Sequence, residues 1–437
     1  MRSWKVCWRQ ALGLTVSLAG ARVSRAQAIP DSAAVVSGIH DFQAACQADG
    51  GRLWGRSLCG PLLLVDPDTR LAVATERPSV EGFGLVNGVW EGQLPEGVPT
   101  ANFALDWGGA RWAMVLLPLP EDRYLRLGLL LHESFHRIQP QLGLSGQDLL
   151  SRHLDERNGR YWLRLELNAL SAALRADGTE RDRAVGDAIL FRRYRYRLYP
   201  GADTVEASLE RAEGLAEYTG VRLALDYLRL PESRAAQGVD AFQLRPTYIR
   251  SMAYGTGPAL GLLLDHYVPG WRSRLNSDGF FAQLAKAVRS DSAPGLRTVQ
   301  AAAERYGGEA VAKEEDAREQ RHLALLADYR RRLIDEPVLL LRQTRLSRAF
   351  NPNALIAFGG EGTIYPTGSF NAEWGALEVD SGGALVAADF STLRVPAPVD
   401  TSGGEIRGRG WKLKLSPGWR LGPGGRTGDL TAVAAAP

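Results

Sequence analysis

At 437 residues the chain is long enough for two or three domains, and its 45% hydrophobic and 23% charged residues are the balance of an ordinary folded protein. A formal net charge of +3 is too small to point to nucleic acid or to an anionic membrane surface. Past the N-terminal stretch no apolar run approaches the length of a membrane span, which argues against a transmembrane segment in the mature chain, and no internal repeat is evident.

The first residues carry a targeting pattern. Arg2, Lys5 and Arg9 precede a short apolar run from Ala11 to Ala21, and Ala26-Gln27-Ala28 is a small-x-small cleavage sequence. This order predicts a signal peptide over residues 1–28 and an exported, periplasmic or extracellular product. Two cysteines then remain, Cys46 and Cys59. An oxidising compartment lets them pair, closing a small loop worth about 3 kcal/mol in the chain-entropy model. Two unpaired buried thiols are the alternative.

Residues 29–118 read as a mixed α/β region leading into the helical region that follows. Gly50-Gly51, Asp66-Pro67-Asp68 and Pro95-Glu96-Gly97 are turn signals, and Trp112 to Leu119 reads as a buried strand ending near Pro118. Residues 119–337 read as helical. Asp122 can cap a helix that Pro140 stops at Gln139, and further helices are expected over Arg160–Arg175, Arg181–Leu198, Thr204–Leu228 and Pro258–Tyr267. The charged run from Ala310 to Ile334 reads as a solvated helix face. From about 345 to 437, Gly and Pro rise and Trp411 to Leu415 alternates with period two, the pattern of a small, separate β domain. The fold class expected is α+β.

The chemistry centres on His132-Glu133-Ser134-Phe135-His136. On a helix, positions i and i+4 share a face, so both imidazoles can address one zinc ion, while Glu133 can act as general base toward a water on that ion. A catalytic zinc site needs a third protein ligand and one open position. Glu213 is the leading candidate, within Glu213-Gly214-Leu215-Ala216-Glu217-Tyr218. Glu217, four residues on, shares its face and can orient a ligand histidine.

These segments together resemble the gluzincin metallopeptidases, in particular the family of the membrane alanyl aminopeptidases and leukotriene A4 hydrolase. The resemblance implies a zincin-like, mostly helical catalytic domain and zinc-assisted hydrolysis of a peptide or protein substrate. It also implies an oxyanion-stabilising tyrosine, for which Tyr254 in Tyr254-Gly255-Thr256-Gly257 stands in a matching segment. Two departures limit it. The family separates the second histidine from the glutamate by 18 residues, whereas 76 separate His136 from Glu213 here. Glu156, near the family spacing, is thus a second candidate for the third ligand, and residues 140–203 would be a helical insertion acting as lid or cleft wall. The segment Asp106 to Met114 also lacks the glutamate with which those aminopeptidases read a free amine, so aminopeptidase activity does not carry over. An edge strand near Trp107 to Met114 can still hold an extended peptide.

Other residues read as structural. Glu166 in an apolar helix suits a buried carboxylate paired with arginine, and His153 and His266 suit structural roles. Arg192, Arg193, Arg195 and Arg197, among Tyr194, Tyr196 and Tyr199, suit a solvated, salt-bridged helix. Two rivals to the peptidase reading remain: a zinc hydrolase of another amide or ester, and a non-catalytic metal-binding envelope or surface-binding protein.

Overall fold

The computed structural model describes residues 32–147, 149–275, 279–288, 295–342, 347–350 and 354–435; the expected signal peptide, 1–28, lies outside them. The first helix, α1 (Ser32–Asp49), leads into six strands. These are β1 (Leu62–Val65), β2 (Leu71–Ala74), β3 (Phe83–Val86), β4 (Val89–Gln93), β5 (Phe103–Trp107) and β6 (Ala110–Leu116), in the spatial order β3-β4-β2-β1-β6-β5. β1 and β6 pair in parallel at the centre, and both read as near-continuous apolar runs. One face of this sheet turns Leu62, Leu64, Ala113 and Val115 toward the helices; the other closes over Leu63, Val65, Trp112 and Met114. The expected strand at Trp112–Leu119 is β6, which stops at Leu116 before the cis Leu117–Pro118 peptide. β6 is internal; the edge strands are β3 and β5, and β5 is joined to β6 across Gly108–Gly109.

The helical layer follows: α2 (Arg123–Ile138), α3 (Arg157–Arg175), α4 (Gly178–Leu198), α5 (Ala202–Leu209), α6 (Leu215–Leu228), α7 (Ser233–Phe242) and α8 (Met252–Tyr267). The Asp122 carboxylate caps α2 by accepting from the Leu125 amide at 2.9 Å. α5 and α6 form one path, the expected Thr204–Leu228 helix, interrupted by a single wider turn at Glu210–Gly214 in which the Leu215 amide donates to the Glu210 carbonyl. α8 begins six residues before the expected Pro258, which sits inside it. α3 is no peripheral insertion: Leu163, Leu165, Leu167 and Leu170 are fully buried in the main core, so the α3–α4 hairpin is the body of the layer rather than a lid.

Three further helices, α9 (Phe280–Ala287), α10 (Leu296–Arg305) and α11 (Gly308–Arg330), close this part. α11 is not simply a solvated face. Its Glu315 is fully buried and accepts from Arg160 on α3 at 2.6 Å. The β domain starts at Val338 rather than 345, because Val338–Arg342 pairs within the larger of two sheets, of seven and six strands among the described residues. Trp411–Leu415 is a strand as expected, with Trp411 and Leu413 inward. Cys46 and Cys59 form a disulfide with Cα atoms 5.2 Å apart.

Candidate active site

α2 runs against the sheet with its apolar face inward, so His132 and Glu133 are carried into the interior at 3% and 4% exposure. His136, one turn on, is nearer the mouth of a cleft of about 1230 Å³. The Nε2 atoms of His132 and His136 are 3.0 Å apart, on the same side of the helix as the i, i+4 spacing requires.

Two close helix contacts bring the other residues in. α2 meets α6 where Gly220 lies on the Gly128 backbone, and the Glu210–Gly214 turn meets α8 where Gly257 lies on Gly214; neither Gly220 nor Gly257 has room for a Cβ. The first crossing puts Glu217 against His132, whose Nδ1 is 2.7 Å from Glu217 Oε2. The second sets Tyr254 on Glu213, the Tyr254 hydroxyl donating to Glu213 Oε2 at 2.7 Å. That same oxygen is 3.5 Å from His132 Nε2 and 3.4 Å from His136 Nε2. Ligand-type atoms of His132, His136 and Glu213 lie within 4.8 Å of one another, within reach of one ion, and no other such group of three occurs among the described residues. Glu156 is elsewhere: it precedes α3 and accepts from the Tyr199 hydroxyl at 3.1 Å.

One site residue was not legible as such. Gln139, read above only as the end of α2, is buried, and its amide donates to the carbonyls of Leu144 (3.1 Å), Arg211 (2.8 Å) and Ala212 (3.1 Å). With the amide nitrogen so engaged, Gln139 Oε1 faces His136 Nδ1 at 2.8 Å and accepts a hydrogen bond from its N–H, which favours the tautomer with the lone pair on Nε2, the atom turned toward His132. Gln139 thereby ties His136 to the turn that carries Glu213. The sole sequence signal was a polar residue before Pro140 at a helix end.

The electrostatics follow from burial and these contacts. Burial opposes protonation of His132, but hydrogen bonds to Glu213 and Glu217 outweigh it and hold the imidazole pKa well above its ordinary value. Burial likewise opposes ionisation of Glu213, yet His132 and His136 keep its carboxyl far below the usual range. For Glu133 burial wins over the nearby charges of His132 and His136, which favour its ionised form. Burial pushes its pKa up, and its Oε2 is buried without a hydrogen-bond partner among the described residues. Burial, then the charge of Glu213, pushes the Tyr254 phenol well up, so it remains a donor. Tyr254 also stacks on His132, centroids 5.6 Å apart and planes 9° from parallel.

The residues set aside as structural are so placed. His153 pairs with Glu206 at 2.7 Å and His266 with Glu232 at 2.8 Å. Arg192 and Arg195, expected on a solvated face, are instead fully buried in α4. They pair with Glu166, as that carboxylate's apolar setting suggested, and with Glu206 and Glu210.

Comparison with protein-family models, curated proteins and solved structures finds no match to this chain.

Proposed function

We propose that the protein is a zinc-dependent peptidase of gluzincin type with a zincin-like catalytic domain, acting outside the cytoplasm on a peptide or protein substrate. The observation that carries this reading is the convergence of His132, His136 and Glu213 beside a buried, unpartnered Glu133 oxygen at the floor of an open cleft. The donor set fits zinc: two imidazole nitrogens and a carboxylate oxygen, with Glu217 and Gln139 holding the imidazole nitrogens that face away. Bound there, zinc would supply Lewis acidity toward water and toward a carbonyl oxygen.

The chain's own residues divide the remaining work. Glu133, with its raised pKa, takes a proton from the attacking water and passes it to the leaving nitrogen. Tyr254 donates to the oxygen on which negative charge develops. The open edge of β5 supplies backbone donors and acceptors for an extended peptide, since Phe103 and Ala104 line the cleft. The Cys46–Cys59 disulfide supports an oxidising compartment and hence the exported product expected from residues 1–28.

The test pairs zinc content with hydrolysis of a peptide pool, for the chain from residue 29 and for its Glu133→Gln variant. One zinc per chain in both, with turnover only in the parent, is the expected result. Zinc without turnover in either would favour the metal-binding, non-catalytic rival, and absence of zinc from both would remove the reading altogether.

A further inference from the structure

We infer that Arg245 forms a carboxylate-recognition subsite beside the reaction centre, so that preferred substrates carry an acid, either a chain-terminal carboxylate or an Asp or Glu side chain, close to the scissile bond. The inference rests on the peptidase reading and names its substrate class. Arg111 and Arg245 are the only Arg or Lys side chains that line the cleft among the described residues. Asp106 engages Arg111. The Arg245 guanidinium has no carboxylate or other hydrogen-bond acceptor among the described residues. Apart from His132, Glu133, His136, Glu213 and Glu217, the cleft lining includes the apolar Leu125, Leu129, Val221 and Val239. An acid entering the cleft therefore meets one uncommitted guanidinium.

Arg245 is held, not loose. Arg318 on α11 donates to the Arg245 carbonyl at 3.3 Å and also to that of Pro246. The Tyr248 hydroxyl donates to the Gln243 carbonyl at 2.7 Å, and the Gln243 amide donates to Asn168 on α3 at 2.8 Å. On this anchored loop the guanidinium carbon lies 5.2 Å from the Tyr254 ring centroid and 5.3 Å from that of Phe242. Tyr254 in turn stacks on His132, so only one aromatic ring intervenes between Arg245 and a candidate metal ligand. A planar guanidinium supported on aromatic faces keeps its donor edge free and loses little freedom on binding, which suits bidentate recognition of a carboxylate.

The test uses zinc-loaded Glu133→Gln protein, immobilised, with and without Arg245→Met or Arg245→Lys. The probes are random hexapeptide pools, made as C-terminal acid or amide and with Glu or Gln at each interior position, and enrichment is read by mass spectrometry. The acid member of at least one pair should be retained about tenfold or more over its neutral partner, the scale of a charge-assisted hydrogen bond. Arg245→Met should erase that preference and Arg245→Lys keep part of it. Preference in the acid–amide pair identifies the chain terminus; preference in the Glu–Gln pair identifies a side chain. Equal retention within both pairs, or a preference that survives Arg245→Met, overturns the inference. Hydrolysis by the parent is followed in parallel: loss of the peptidase reading with the Arg245-dependent preference intact would leave the subsite standing as a binding site.

Discussion

Two polar clusters are buried in the same helical layer, and the path from Ala202 to Leu228 serves both. On one side Glu166, Glu206 and Glu210 meet Arg192 and Arg195, so each carboxylate has a guanidinium partner at 2.8 Å or less, and Thr256 adds a bond of 2.7 Å to Glu210. On the other, Glu133, Glu213 and Glu217 gather around two imidazoles with no arginine or lysine among the described residues bound to them, and one Glu133 oxygen has no hydrogen-bond partner among those residues. The wider turn at Glu210–Gly214 joins the two: Glu210 at its start belongs to the closed cluster and Glu213 near its end to the open one. Buried charges are ordinarily paired, so the closed cluster obeys the rule that holds a fold together. The open cluster breaks that rule, and local rules are broken mainly where a protein does chemistry. Single wider turns of this kind are themselves frequent at functional sites.

The contrast is sharpened by removing one group from each side. Glu133→Gln should lower kcat roughly a hundred- to ten-thousandfold, the usual weight of a general base, without lowering the urea midpoint, because the lost charge had an unpartnered oxygen. Arg195→Met should do the reverse, costing about 3–5 kcal/mol of stability by urea unfolding, since Glu166 and Glu206 are left buried and underpaired. A Glu133→Gln protein that unfolds as readily as Arg195→Met would break the comparison.

Smaller effects test the supports. Gln139→Leu should weaken zinc binding about 10- to 100-fold, measured by chelator competition, because His136 loses the acceptor that fixes its ring. Gly257→Ala should cost about 1–3 kcal/mol and weaken zinc binding too, since its Cβ must displace Gly214 beside Glu213. The smallest effect is in pH. The folded chain in chelator holds the His132 proton more tightly than the unfolded chain, whose ordinary value is 6.5. The stability this contributes is complete below pH 6.5 and is lost as pH rises through the higher folded value. Urea midpoints in chelator should therefore fall above pH 6.5, whereas zinc affinity should rise over the same range as the competing proton leaves. Midpoints independent of pH in chelator would remove His132 as the linked group.

Much of α2 was legible because its signals are local: Asp122 as cap, Pro140 as stop, and two histidines one turn apart around a glutamate. The choice between Glu156 and Glu213 was not, because 76 residues separate His136 from Glu213 and spacing says nothing about which carboxylate returns. The placing of Arg192 and Arg195 on solvent failed for a related reason. Alternation with tyrosines looks like an exposed face, but α4 is covered from several sides, and acids from α3 and from the Ala202–Leu228 path meet the guanidiniums there. The β domain was anticipated from Gly, Pro and period-two alternation, yet its first strand, Val338–Arg342, is a plain apolar run that periodicity assigns to neither class.

The sequence by itself determined the things that depend on neighbours along the chain: the α2 histidines and Glu133 on their helix, and the alternating strand at Trp411–Leu415; it left Cys46 and Cys59 either paired or free, and the structure pairs them. Only the tertiary structure decided that Glu213 and Tyr254 join those histidines, that Gln139 serves His136, and that the arginines of α4 are interior. The physical reason is that helix and strand periods fix which residues share a face. The distance at which faces meet is set by packing, here by glycine contacts between α2 and α6 and between the Glu210–Gly214 turn and α8.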